Sequence, residues 1–207
     1  MSGQYDHIFV GGTLVTPNGV APGNVAIKDG KIAEIGDVDP AKADMVTDVT
    51  GLHVLPGVID TQVHFREPGN EHKEDLETGA RGAVQGGVTG VFEMPNTNPS
   101  TSTDEALADK VSRGTARMAC DFGFYVGATA DNVAELARLE RLPGACGVKI
   151  FMGSSTGSLL VSDDDTLLKV LQSGTRRVAI HCEDEFRLNE RQPLTYEEGG
   201  VHNHPIW

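Results

Sequence analysis

The alternation of hydrophobic and polar positions changes its rhythm near Leu55-Pro56-Gly57. Before that point, apolar and polar residues alternate over short runs, the pattern of half-buried strands. Residues 25–36 hold two such runs joined by Asp29-Gly30, a pair suited to the positive φ angles of a tight hairpin turn. Residues 7–16 read as a further strand. A small β region over residues 1–53 is therefore expected.

From Val54 onward, short apolar runs alternate with stretches of helical spacing. The pattern predicts strands over 54–60, 88–94, 120–126, 147–152 and 178–182. Between them it predicts helices over 72–85, 103–117, 131–141 and 162–173. The first carries Leu76, Ala80, Ala83 and Val84 at helical spacing. Thr103 and Ser162 are the expected N-caps of the second and fourth. Residues 183–207 are polar and are expected to be irregular or weakly helical. Five strands alternating with four helices predict an α/β fold with a parallel sheet and right-handed crossovers. It would be a doubly wound sheet or part of a (β/α)8 barrel. No Gly-x-Gly-x-x-Gly follows the first strand, which disfavours a dinucleotide site. Chemically capable residues follow several different strands, as a barrel active site needs.

Composition narrows the function. A net charge of −13 repels nucleic acid and anionic lipid, so neither is expected as a partner. No run of residues reaches the length of a membrane span, and residues 1–10 lack the pattern of a signal peptide. Three cysteines, an odd number in apolar surroundings, fit reduced thiols and a cytoplasmic setting.

Four motifs sit in order at strand ends. They are Asp60-Thr-Gln-Val-His-Phe-Arg-Glu-Pro-Gly69, Met94-Pro-Asn-Thr-Asn-Pro99, Val148-Lys-Ile-Phe-Met152 and Ala179-Ile-His-Cys-Glu183. Together, over about residues 51–190, the chain resembles the amidohydrolase superfamily, in its dihydroorotase, hydantoinase and allantoinase branch. The resemblance implies that residues 1–53 form part of a β-sandwich domain. It implies that residues 54–207 form the first part of a TIM-type metal-dependent hydrolase barrel, with only about strands one to five present.

The resemblance further implies one or two zinc ions, which activate a water and polarise the amide carbonyl. His64, Lys149 and His181 match the family's metal ligands, and the lysine is usually N-carboxylated there. Gln62 stands where the family has its leading histidine, and an amide oxygen is a weak neutral donor. Arg66 and Asn96 match the pair that holds a substrate carboxylate, a task that suits a guanidinium fork. That pair points to dihydroorotase, which hydrolyses dihydroorotate reversibly to N-carbamoyl-aspartate in pyrimidine biosynthesis. The family's general acid/base aspartate has no counterpart among these residues. A full barrel takes roughly 250 residues, so a fragment of a longer product is expected.

Two rival readings accompany this one. A homologue without catalysis would serve as a structural partner of aspartate transcarbamoylase, a reading that Gln62 favours. A sister enzyme would act on hydantoin or allantoin. A homo-oligomer is expected in either enzyme case. Other candidates read as structural: His202-Asn-His204 as a solvated loop, Gly153-Ser-Ser-Thr-Gly157 as a strand-to-helix turn, and Asp163-Asp164-Asp165 as a helix-start charge run. His53 and His72 read as residues outside any metal site.

Overall fold

A computed structural model of the protein describes residues 3–153 and 158–198. The chain divides into two compact units, one over Met1–Gly57 and one from Val58 onward.

In the first unit, β1 (Tyr5–Thr16), β2 (Gly19–Lys28), β3 (Lys31–Gly36) and β4 (Ala43–Asp48) lie in the order β3-β2-β1-β4. The two-residue strand β5 (His53–Val54) pairs with β1 through Leu14. The β2–β3 hairpin turns at Asp29 and Gly30, with φ angles of 51° and 71°, so the Asp-Gly signal holds. Tyr5, Ile8, Ala26 and Val38 form its small core. Val54, expected to open the first barrel strand, belongs instead to this sheet. Pro56 and Gly57 separate the two runs, because proline cannot donate to a ladder.

The second unit holds a five-stranded parallel sheet. Its strands are β6 (Val58–Val63), β7 (Val88–Glu93), β8 (Asp121–Gly127), β9 (Ala145–Phe151) and β10 (Val178–His181). Their spatial order follows their sequence order. A doubly wound sheet reverses direction at a switch point, whereas a barrel adds each strand beside the last. The architecture is therefore a parallel βα half-barrel following a small β-sheet segment. Phe124, Tyr125, Val126 and Ile150 are almost fully buried, as expected of strands covered on both faces. At the edge, Val58 and Ile59 of β6 are more than half exposed.

Helices α1 (Leu76–Gln85) and α2 (Asp104–Arg117) join the first three of these strands. Asp75 caps α1 by accepting from the Thr78 amide at 2.8 Å, and Thr103 caps α2 through the Ala106 amide at 3.3 Å. The predicted third helix shrinks to α3 (Leu136–Leu139), preceded by a 3-10 turn over Val133–Glu135. Asn132 holds the preceding loop by accepting from the Thr129 amide and donating to the carbonyls of Ser102 and Gly127. The cap of α4 (Asp164–Ser173) is Asp163 rather than Ser162, since its carboxylate accepts from the Thr166 amide at 2.8 Å. A carboxylate one residue nearer the first turn outcompetes a hydroxyl for the same donors. The stretch expected to be irregular or weakly helical contains α5 (Glu185–Glu198), which opens after Asp184 accepts from the Arg187 amide. Among the described residues, no helix is long and apolar enough to cross a membrane. The His202-Asn-His204 reading lies outside the described residues, as does most of the Gly153–Gly157 turn.

Candidate functional site

The side chains singled out by the motifs follow the C-terminal ends of the parallel strands. His64 comes directly after β6, Asn96 three residues after β7, Lys149 near the end of β9, and His181 ends β10. Parallel pairing brings these ends to one side of the sheet. Lys149 lies level with Gly127 of β8 and Ala179 of β10.

His64 is half-buried, and its Nδ1 lies 2.8 Å from Oδ1 of Asn96. The amide oxygen can only accept, so Nδ1 carries the proton and Nε2 keeps its lone pair. Burial depresses the pKa of His64, and the positive charges of Arg66 and Lys149 lower it further. The imidazole is thus held neutral, in the tautomer a metal would need.

Lys149 is 2% exposed. Its Nζ lies 4.7 Å from the centre of the Phe151 ring, and no carboxylate among the described residues pairs with it. Burial lowers its pKa. Arg66 adopts a left-handed backbone, with φ of 63°. The residue is partly buried, and among the described residues it forms no ion pair, although its charge is felt by the Glu93 carboxylate.

The other two positions behave differently. Gln62 is exposed on β6, and its backbone amide donates to Asp60 at 2.9 Å. His181 Nε2 lies 3.0 Å from a carboxylate oxygen of Glu183, and both side chains are over a third exposed. Among the described residues, no three His, Cys, Asp or Glu side chains converge into a set able to hold a metal. The Nδ1 contact of His64 with Asn96 leaves Nε2 as the nitrogen that could ligate a metal. His181 would have to exchange Glu183 for the metal.

Sequence reasoning missed two buried charge clusters beneath these residues. Lys110 of α2 donates to Glu93 at the end of β7 and to the Met94 carbonyl at 3.0 Å; Lys110 and Glu93 are essentially inaccessible. Burial raises Glu93 to about 7 despite the opposing pull of Lys110. The second cluster centres on Glu67, which accepts from the Leu76 amide, Arg113 and Arg117. The signal was present, since Glu93 interrupts an apolar strand and Lys110 shares a helix face with Leu107 and Gly114.

A cleft of about 560 Å³ opens beyond β9 and β10. Asp163, Asp164, Glu183, Asp184 and Glu185 line it, so its walls repel an anionic ligand.

Comparison with known proteins agrees with this fold. Residues 51–151 match a family described as dihydro-orotase-like. The chain is 38% identical over 193 residues to an allantoinase of Deinococcus radiodurans, covering 89% of this chain and 43% of that protein. It is 37% identical over 182 residues to a dihydroorotase of Methanosarcina mazei, covering 86% and 40%. Among solved structures, the L-hydantoinase of Arthrobacter aurescens superposes with a TM-score of 0.85 at 28% identity, covering 95% of this chain and 45% of that one. The chain thus spans less than half the length of the relatives it matches.

Proposed function

Starting from a chain homologous to the N-terminal portion of hydrolases that act on cyclic amide C–N bonds, we propose that the whole protein is a metal-dependent dihydroorotase. Identity alone does not separate the candidates, because allantoinase and dihydroorotase relatives match about equally well. The observation that carries the choice is Arg66. It is a guanidinium that forms no ion pair among the described residues, and its charge reaches both His64 and the buried Glu93. A ring carboxylate supplies that partner, and the hydantoin and allantoin rings bring none at that place.

In this reading, Arg66 receives the carboxylate through its planar fork. Asn96 uses its oxygen to fix His64, and its amide NH₂ remains able to donate to the same carboxylate. His64 and Lys149 would hold zinc, with His181 able to join them if it gave up Glu183; Gln62 would contribute at most a weak oxygen. Lys149 serves best as a carbamate, since carboxylation converts a buried amine into an anionic oxygen ligand. Bound zinc supplies Lewis acidity and an activated water. Hydrolysis adds hydroxyl to the ring carbonyl carbon and a proton to the ring nitrogen, opening the ring to N-carbamoyl-aspartate.

Arg66→Ala in the protein from its intact gene tests the assignment. Loss of a charge-assisted pair worth about 1.5–3 kcal/mol lowers kcat/KM for dihydroorotate by roughly 10- to 150-fold. Unchanged kinetics rule Arg66 out as the carboxylate site.

One specific feature favours a second reading. Gln62 replaces an imidazole, as in a homologue that has given up metal and serves as a scaffold, for example for aspartate transcarbamoylase. Such a scaffold purifies without stoichiometric zinc, whereas the enzyme retains it.

A further inference from the structure

We infer that Glu67 is a positioning residue for Arg66, an inference that rests on Arg66 meeting the substrate carboxylate. Arg66 has a left-handed backbone at φ 63°, a conformation that a non-glycine residue keeps only when its surroundings impose it. The next residue supplies the imposition. The Glu67 side chain is 3% exposed and gathers three donors from two helices. Its Oε2 accepts from the amide of Leu76, the first residue of α1, at 3.0 Å. Its Oε1 accepts from Arg113 at 3.2 Å and from Arg117, one turn apart on α2. The backbone on both sides of Glu67 is tied as well. The Asn70 amide donates to the Arg66 carbonyl at 3.1 Å, and the Asn98 amide donates to the Pro68 carbonyl at 2.9 Å. The second of these links the Arg66 loop to the turn that carries Asn96.

The same contacts have an electrostatic consequence. A carboxylate next in sequence to Arg66 is the obvious competitor for its guanidinium. Glu67 is withheld from that role because Arg113, Arg117 and the start of α1 saturate it. Arg66 is thus left available to an external carboxylate. A role confined to fastening α1 to α2 would make Glu67 matter to stability alone. The positioning role makes it matter to substrate affinity, and only through Arg66.

A double-mutant cycle on the protein from its intact gene separates these roles. Wild type, Arg66→Ala, Glu67→Gln and the double variant are assayed with dihydroorotate. Glu67→Gln is expected to raise KM by about tenfold, the scale of one weakened charge-assisted contact, with kcat within about twofold. In the Arg66→Ala background it is expected to add nothing further. Should Glu67→Gln not fold, Arg117→Met, at a side chain that is 34% exposed, removes one partner from Glu67, and the same pattern is expected in weaker form. An effect of Glu67→Gln or Arg117→Met that persists in full without Arg66, or that falls on kcat instead of KM, overturns the inference. Arg66→Ala impaired with Glu67→Gln unaffected overturns it while leaving the carboxylate reading intact. Arg66→Ala without effect removes both.

Discussion

His64 Nδ1 and Asn96 Oδ1 stand 2.8 Å apart, joining the loop after β6 to the turn after β7. One residue proposed for metal is therefore oriented by one proposed for substrate. A histidine ligand whose second nitrogen loses its partner typically loses 10- to 100-fold in metal affinity. Asn96→Ala is expected to weaken zinc binding by about that factor, and Asn96→Asp, which restores an acceptor, to recover most of it. Competition with a chromogenic chelator measures both. Equal affinities for wild type and Asn96→Ala remove the orienting role.

Lys149 gives a pH-dependent prediction. Burial lowers its folded-state pKa below the ordinary 10.5. The folded metal-free protein therefore binds this proton less tightly than the unfolded chain. Its contribution to stability is complete above about pH 10.5 and is lost as pH falls through the folded-state value. Lys149→Met carries no such titration. It is expected to be more stable than the metal-free wild type at pH 7, with a gap that narrows as pH rises toward 10. Urea unfolding at the two pH values checks this, and a gap that widens with pH contradicts it.

The Lys110–Glu93 pair lies under the Met94–Pro99 turn and is closed to solvent. Removing one member leaves a buried charge uncompensated, at a cost of about 3–5 kcal/mol, whereas removing both leaves none. Lys110→Met alone is expected to destabilise strongly. Adding Glu93→Gln is expected to restore a substantial part of the loss. Thermal melts of the two variants test the claim, and a double variant as unstable as the single one counts against it.

These clusters also mark where sequence reasoning reached and where it stopped. The parallel βα repeat was legible because β7, β8 and β9 are short apolar runs, and α1, α2 and α4 around them carry side-chain N-caps. The Asp29-Gly30 turn was legible because few other pairs take two positive φ angles. The third helix was overestimated because residues 131–141 have helical composition, yet Asn132 spends its side chain on loop contacts before α3 starts. At the site, the motif residues were legible one by one. Their partners were not, since His64 meets Asn96 across 32 residues and Glu67 meets Arg117 across 50. Long-range pairings of this kind depend on the strand order, which local pattern does not encode. Glu183, the partner of His181, is only two residues away, but its contact depends on the loop conformation after β10.

The account stands most directly on substrate choice. The measurement is kcat/KM of the zinc-loaded protein from its intact gene for dihydroorotate, hydantoin and allantoin under identical conditions. The proposed carboxylate contact at Arg66 predicts a preference for dihydroorotate of at least roughly tenfold, the lower end of what one charge-assisted pair supplies. A preference for hydantoin or allantoin contradicts it.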